Sequence, residues 1–571
     1  MSDVKAQEEV HGISTAHEEM PRVIAGYGET AKREGATTKE VHSAELYAAL
    51  EETKIERWSR DSIHLYFAIF VAFLCACANG YDGSLMSSIL AMSHFQKVIP
   101  IGMTGEKVSV VTSIYTVYVS LRPIPNKALA DYDGFSGNMV ATPFSAVISD
   151  RFGRRKCMFV GGWIIIIGSI IAATTTTYAQ FVVGRFVLGM GIQVMVVSAP
   201  AYAVEISPPH WRGRAVGFYN CGWFGGSIPA AAITYGTNFI NNDYSWKVPL
   251  ICQCFASIVV IVAIWFIPES PRWQLAHGQE EEALAFLTKY HGNGDPNARL
   301  VRLEIEEMRE GIRIDGIDKR WWDYRPFLTT HSGRWRFLQV IMISIFGQWS
   351  GNGLGYFNST IFKTLGYNSS SMQLLLTLIN SIISAVGALT AVHFTDRMPR
   401  RPVLVFGTIA CALAIAIQAA ISVPIAQTGT ISHSKGQAAL SFYYLFNVIY
   451  SFTYTPLQGV IPAEALETTT RAKGLALSGF LVNATGFISQ FATPIGLGNI
   501  STNYFWIFVG WDLIESVIWY FFCVESQGRT LEELEWLYQQ PNPVKASKTL
   551  DKVVVQRDGT VTEKIEDDVD A

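Results

Sequence analysis

Charged residues are scarce in this 571-residue chain: they make up 16% of it, against about a quarter in an ordinary soluble protein. Of the 92 charged residues, 61 lie in three stretches, residues 1–61, 268–336 and 524–571. The other 393 residues hold 31 charges, which are too few to cover the surface of a globular domain. A soluble fold is therefore excluded for most of the chain, and its 49% hydrophobic content favours a body in lipid with three polar appendages.

Other features are also missing. The eight cysteines form no Cys-x-x-Cys pair and have no histidine cluster beside them, which argues against a metal site or a disulfide framework. The first 60 residues contain no apolar stretch, so we expect no cleaved signal peptide. No Walker loop, HExxH motif or nucleophile–base motif suggests an enzyme or a cofactor. The net charge of −4 gives no support for nucleic-acid binding.

Long apolar stretches are what the chain does contain. A membrane span needs about 20 mostly apolar residues. Eleven stretches qualify: 65–90, 157–177, 181–203, 215–238, 247–267, 337–362, 371–395, 401–424, 437–461, 473–497 and 503–523. A twelfth span is expected between the first two, and we number the spans 1 to 12 with this one as span 2. The sequence predicts an all-α membrane protein with twelve transmembrane helices.

Span 2 is interrupted. An apolar helix begins at 108–117 and ends at 137–148, but the residues between them contain two prolines and four charges. Charge and non-helical backbone are both costly in the bilayer. Joining 117 to 137 would restore an unbroken helix, so we predict that residues 118–136 derive from a retained intron of 57 nucleotides rather than from the working protein.

Basic residues predict the orientation. The loops after spans 2, 4, 8 and 10 are rich in Lys and Arg, whereas the opposite loops have at most one or two lysines each. By the positive-inside rule both termini are cytoplasmic. The predicted regions are a disordered cytoplasmic tail (1–62), a six-helix half (63–267), a cytoplasmic helical loop (268–336), a second half (337–523) and a C-terminal cytoplasmic tail (524–571). Asn368 and Asn499 are candidate glycosylation sites outside the cell.

The basic loops occur twice. DRFGRR at 150–155 recurs as DRMPRR at 396–401, and the Glu205–Arg212 pair recurs as Glu464–Arg471 with the same spacing of seven. PES at 268–270 is repeated as VES at 524–526. The offsets of 246, 259 and 256 residues are nearly constant. Two six-helix halves related in this way are typical of transporters whose halves rock about a site near the membrane midplane.

These motifs resemble a known family. GYDG at 80–83, DRFGRR, PAYAVEISPPHWRG, PESPRW, GQWSGNG and PAEALETTTRAKG are similar to the sugar porter family of the major facilitator superfamily, over residues 63–537. QWSGNG and TYTPLQ resemble the fungal branch of lactose-permease-like and cellodextrin transporters. The resemblance implies a major facilitator fold at the plasma membrane, a sugar substrate and no cofactor other than the coupling proton. We expect a functional monomer in the bilayer.

Ionisable residues inside membrane spans are functional candidates. The resemblance implies that Asp82, in span 1, is the proton-coupling carboxylate and that Arg185, in span 4, is its partner. A static structural ion pair is the alternative. Asp512 and Glu515 share one face of span 12, and we expect only a polar contact within the second half there.

At the cytoplasmic helix ends, the positive-inside rule explains the arginines but not the acids beside them. The resemblance implies ion pairs that hold the outward-facing state. Their members are Asp150, Arg154, Glu205, Arg212, Glu269, Asp396, Arg400, Glu464 and Arg471.

A sugar site needs amides, which donate and accept hydrogen bonds, and aromatic faces. Gln348 and Asn352 share one face of span 7, and Asn483 of span 11 matches a sugar-contacting position of the family. Weaker candidates, which could instead bond between helices or pack, are Asn220, Asn380, Trp349, Tyr356 and Tyr454.

Four small residues stand where the family usually has a large or polar side chain: Gly226, Gly347, Gly459 and Ala484. If each widens the cavity, the substrate is a disaccharide or short oligosaccharide. We therefore expect a proton-coupled sugar symporter. The alternatives are an uncoupled facilitator, against which Asp82 argues, and a sugar sensor, for which the 48-residue C-terminal tail is short.

Overall fold

Helices occupy all eleven predicted spans. The computed structural model describes residues 58–113, 148–209, 212–317, 325–394, 398–428, 433–466, 471–527 and 531–548, together with residues 37–38, 56, 145, 552–555 and 561–565. Seven helical segments in these ranges are long and apolar enough to cross a membrane. The suspected insert, 118–136, lies outside the described residues, and span 2 is represented by Glu106–Ser113 and the helical residues 148–152.

The first half contains five further spans, each formed by one or two helices. Span 1 begins where Ser59 accepts a hydrogen bond from the Ser62 amide, which satisfies a free N–H of the first turn. Span 6 is jointed at Gln253 and continues as a short 3₁₀ turn. The helices of spans 1, 3, 4, 5 and 6 are Arg60–Leu90, Arg154–Ala173, Tyr178–Ile206, Arg212–Thr237, and Tyr244–Cys252 with Cys254–Ala263.

The second half has a break in span 7. Ser350 ends one helix and Gly351 follows with φ of 96°, a left-handed conformation that glycine adopts without steric cost. Span 10 is also broken, just before Pro456. The helices of spans 7 to 12 are His331–Trp349, Asn352–Gly355 and Asn358–Thr364; Ser370–Phe394; Arg400–Thr428; His433–Thr453 and Leu457–Ala465; Arg471–Ile500; and Phe505–Phe522.

Short helices lie outside the spans. The loop between the halves contains helices, and Leu531–Gln539 is a helix of the C-terminal tail. These helices are Ser93–Val98, Pro271–Ala276, Glu280–Tyr290, Arg299–Ile317, Pro326–Thr329, Leu531–Gln539 and Pro543–Ala546.

The terminal tails contain strands that the sequence prediction of a disordered N-terminal tail did not include. Lys552–Val555 pairs antiparallel with Thr37–Thr38 and with Val561–Ile565. Valine and threonine dominate these segments, and β-branched residues fit the pleated surface of a sheet.

The two halves meet at the end of the bundle away from the basic loops. One apolar cluster there contains Leu85 and Ile89 of the first half together with Ile361 and Phe362 of the second. Ser370 Oγ also donates to the Ala91 carbonyl at 2.7 Å across the same boundary. At the basic-loop end, separate apolar clusters lie within the first half and within the second. The described conformation is therefore closed at the end predicted to be extracellular.

Candidate transport site

The structure brings Asp82 and Arg185 together in the interior of the first half. Both side chains are buried, at 0% and 1% exposure, and Arg185 Nη1 donates to Asp82 Oδ1. Gln253 Nε2 donates to the same oxygen at 2.9 Å. The other carboxylate oxygen, Oδ2, has no hydrogen-bond partner among the described residues. The structure therefore places the two predicted partners in direct contact.

Close packing of spans 1 and 5 positions this carboxylate. A Cβ on Gly80 would lie 2.0 Å from the Trp223 carbonyl oxygen, so only glycine allows the two helices to approach this closely. Tyr81 OH donates to the Pro249 carbonyl at 2.9 Å, four residues before the joint of span 6 at Gln253. Spans 1, 4, 5 and 6 therefore converge at Asp82.

Span 7 reaches the same place from the second half. The Tyr356 ring packs edge-on against Trp223, with centroids 6.0 Å apart. A Cβ on Gly83, the residue after Asp82, would lie 3.3 Å from Tyr356 Cε1. The Asp82–Arg185 pair therefore adjoins the span that carries the sugar-binding candidates.

The two amides of span 7 are neighbours across its break. Asn352 Nδ2 donates to Gln348 Oε1 at 2.8 Å, and Gln348 Oε1 lies 3.5 Å from where a Cβ on Gly486 of span 11 would be. Asn483, one turn before Gly486 in the same helix, is half-buried. The structure thus groups Gln348, Asn352 and Asn483 along two adjoining spans.

The remaining sugar-binding candidates are buried, half-buried or engaged in other contacts. Asn220 is half-buried and Asn380 is buried, with its Oδ1 lacking a hydrogen-bond partner among the described residues. Trp349 Nε1 donates to the Thr485 carbonyl at 3.1 Å, and its ring packs against Trp511. Tyr454 is fully buried, and its hydroxyl donates to Glu515 of span 12 at 3.2 Å, so its ring is not accessible to a sugar in the described conformation.

Two of the four small residues do not widen a cavity, which corrects the sequence interpretation. A Cβ on Gly226 would lie 1.9 Å from the Cys77 carbonyl oxygen, so this glycine serves the contact between spans 1 and 5. At Gly347 the Gln458 side chain fills the space, and its Nε2 donates to the Gly347 carbonyl at 2.9 Å. A missing side chain leaves a cavity only if no neighbour moves in. Of the four small residues, Gly459 and Ala484 are therefore the two that could still enlarge the substrate cavity.

A polar network joins the helix ends of the first half that lie beside the basic loops. Arg154 donates from Nη1 to Asp150 at 2.8 Å and from Nη2 to Glu205 at 3.0 Å. Glu269 Oε1 accepts from the backbone N–H of Arg154 at 3.1 Å. Ser270 Oγ donates to Glu205 Oε2 at 2.5 Å. Burial raises the pKa of the Glu269 carboxyl, while the amides that it accepts from oppose this shift.

The second half repeats the network. Arg400 Nη2 donates to Glu464 Oε1 at 2.9 Å, as Arg154 does to Glu205. Glu525 Oε1 accepts from the Arg400 N–H at 2.8 Å, and Ser526 Oγ donates to Glu464 at 2.6 Å. Each of these contacts matches one of the first half, so the duplication read from the motifs extends to individual hydrogen bonds.

Comparison with known proteins shows the family of this chain. The family model described as "Sugar (and other) transporter" matches residues 68–538. This chain belongs to that sugar transporter family. It is 27% identical over 500 residues to a high-affinity glucose transporter of Kluyveromyces lactis, covering 83% of this chain and 85% of the relative. It is 26% identical over 506 residues to a quinate permease of Neurospora africana, covering 85% and 91%.

Solved structures confirm the predicted fold of this family member. The proton:xylose symporter XylE, of the major facilitator superfamily, superposes with a TM-score of 0.68 at 20% identity, covering 84% of this chain and all of that one. A partially occluded inward-open form of XylE from E. coli gives 0.65 at 18% identity, covering 82% and 100%. The curated relatives are transporters and permeases by name, in keeping with a transporter rather than an enzyme.

In this sugar transporter, some predicted gating residues cannot be placed. Asp396 and the side chains of Arg212 and Arg471 lie outside the described residues. The described pairs, Arg154–Glu205 and Arg400–Glu464, each join helices of the same half. That these ion pairs hold the outward-facing state stays a prediction.

Sequence reasoning missed two parts of the site. Gln253 carries no motif, although an amide in the apolar run of span 6 is costly in lipid and could have been singled out for that reason. The serines that donate to Glu205 and Glu464 were also missed, although Ser270 and Ser526 stand in the repeated PES and VES motifs.

Proposed function

We propose that this member of the sugar transporter family is a proton-coupled importer at the plasma membrane. The observation that carries the proposal is the buried Asp82–Arg185 pair with Gln253 on the same carboxylate oxygen. A buried carboxylate held by a single guanidinium and one amide keeps its second oxygen open to a proton. A facilitator without coupling has no use for such a group.

The chemistry proceeds through the ion pair. Protonation of Asp82 would remove the negative charge that holds Arg185, and the guanidinium would then be free to move or to be hydrated. Because Tyr356 of span 7 packs beside span 1, this change can reach the sugar-binding half. Proton and sugar would thus favour the same transition between outward-facing and inward-facing states, and a ligand shifts such an equilibrium by its preference for one state.

We further propose that Gln348, Asn352 and Asn483 bind sugar hydroxyls, with Asn220, Asn380 and Trp349 as secondary contacts. The proposed substrate is a disaccharide or short oligosaccharide. Its support is the small residues at Gly459 and Ala484 and the resemblance of QWSGNG and TYTPLQ to the lactose-permease-like branch. The named relatives include transporters of glucose and of quinate, so single-ring compounds belong in any competition assay.

The test is uptake by purified protein in lipid vesicles. Uptake of labelled glucose, lactose and cellobiose would be measured in the presence of an inward proton gradient and again after a protonophore collapses that gradient. Coupling predicts accumulation above the outside concentration only while the gradient exists. Uptake that merely equilibrates and ignores the protonophore would identify a facilitator. Binding without uptake would identify a sensor.

A further inference from the structure

A pair of buried carboxyls lies in span 12, far along the chain from Asp82. Asp512 and Glu515 are both fully buried, and a spacing of three residues places them on the same helix face. Neither forms an ion pair among the described residues. The coupling mechanism proposed above uses neither of them.

One carboxyl is hydrogen-bonded to span 7. Glu515 Oε2 accepts from Ser350 Oγ and from Tyr454 OH, the latter at 3.2 Å. Ser350 Oγ lies 3.0 Å from Tyr454 OH, which also contacts Thr408 Oγ1 at 2.7 Å. By contrast, Glu515 Oε1 and both oxygens of Asp512 have no hydrogen-bond partner among the described residues.

Among the described residues, no positively charged side chain forms a salt bridge with either carboxyl. The titratable groups that face the two carboxyls are the Cys411 thiol of span 9 and the hydroxyls of Tyr450 and Tyr454 of span 10. Span 7 contributes the uncharged Ser350. Two ionised carboxylates at one site repel each other, and a buried charge without a counter-ion is strongly disfavoured. At least one proton must therefore be held between them.

Ser350, which contacts Glu515, lies at the break of span 7. Ser350 caps the helix that ends at Trp349, and Gly351 turns the chain immediately afterwards. Gln348 and Asn352, the sugar-binding candidates, stand on either side of this break and contact each other. A change of charge on Glu515 would act directly on the hydroxyl at the bend.

We propose that Asp512 and Glu515 form a second proton-binding site whose occupancy sets the bend of span 7 between Gln348 and Asn352. With one proton bound, Ser350 and Tyr454 donate to a single carboxylate oxygen and hold the bend. Loss of that proton leaves two negative charges. These charges draw hydroxyl groups or water toward Asp512, and the bend of span 7 is then released. The effect on sugar binding rests on the proposed transport function, whereas proton binding does not.

Infrared difference spectroscopy of the full-length protein tests proton binding without any sugar. On a change from neutral to alkaline pH, the wild type should lose a protonated-carboxyl band. The double variant Asp512→Asn, Glu515→Gln should not show this loss. Asp82→Asn and Glu281→Gln, which alters an exposed acid of the loop, should keep it. If the double variant does not fold, each single variant should lower the band.

The same loss of the band in the double variant, or a wild type that shows no such loss, overturns the proposal. So does a spectral change that requires sodium, because the site would then bind a metal cation. In counterflow of labelled glucose or cellobiose, Asp82→Asn should retain a pH dependence that disappears when Glu515→Gln is added. Unchanged pH dependence in that combination would refute the link to span 7, while failure of all transport would refute only the proposed function.

Discussion

Gly226 gives a sharp test of how spans 1 and 5 pack. In Gly226→Ala the new Cβ would lie 1.9 Å from the Cys77 carbonyl oxygen and 2.5 Å from the Tyr81 nitrogen. Both atoms are backbone, so no rotamer change can relieve the overlap and the helices must separate. Overpacking of this kind costs about 1–3 kcal/mol, and we expect the upper end of that range. Alanine regains up to about 1 kcal/mol of helix propensity, which leaves a net loss of roughly 2 kcal/mol.

Gly236 in the same helix is the matched control. Apart from its chain neighbours and the backbone of its own helix, no heavy atom of the described residues lies within 4 Å of the position that its Cβ would occupy. Gly236→Ala should therefore be neutral or slightly stabilising, through helix propensity alone. Thermal unfolding of the two purified variants in one detergent, followed by loss of the monodisperse peak, would show a lower midpoint for Gly226→Ala only.

The refuting result is equally specific. If Gly226→Ala is as stable as Gly236→Ala and transports normally, spans 1 and 5 are not in close contact. Gly226 would then be better explained as an enlargement of the substrate cavity, as the sequence alone suggested.

Three further predictions concern the substrate cavity, the polar networks and span 2. Gly459→Trp should shift competition toward glucose and away from cellobiose, because an indole would occupy the space for a second ring; unchanged competition by both sugars would refute the large-cavity proposal. Glu205→Gln should lower the unfolding midpoint more than Glu464→Gln, because Glu205 accepts from both Nε and Nη2 of Arg154, whereas Glu464 accepts from Nη2 of Arg400. A hydrogen bond to a charged group contributes about 1.5–3 kcal/mol. The reverse order of the two midpoints would contradict the described geometry. A protein without residues 118–136 should transport, whereas one with them should misinsert; transcripts that uniformly retain the 57 nucleotides and encode an active protein would overturn the intron prediction.

The sequence was most informative where a pattern repeats. The basic motifs predicted both polar networks because one duplicated arrangement fixes the same contacts twice, from Arg154–Glu205 to Arg400–Glu464. Apolar runs predicted the spans because a bilayer requires helices of that length. The pairing of Asp82 with Arg185 followed from the family motif and from the cost of leaving either charge unpaired in lipid.

The sequence was least informative where a neighbour decides the outcome. Gly226 and Gly347 suggested empty space, but the backbone of span 1 and the Gln458 side chain occupy it. The partner of Glu515 is Ser350, 165 residues away, and no local pattern connects them. Gln253 was overlooked because a single amide at a helix joint has no periodic signal. Such contacts depend on how helices pack, which residue spacing does not specify.

The most direct test of proton coupling is sugar accumulation by Asp82→Asn in lipid vesicles with an inward proton gradient. The exposed-acid variant Asp243→Asn serves as the control. Coupling through Asp82 predicts that Asp82→Asn loses accumulation against the sugar gradient yet keeps counterflow, whereas Asp243→Asn accumulates like the wild type. Accumulation by Asp82→Asn with the wild-type dependence on pH would contradict the assignment of this carboxylate as the coupling group.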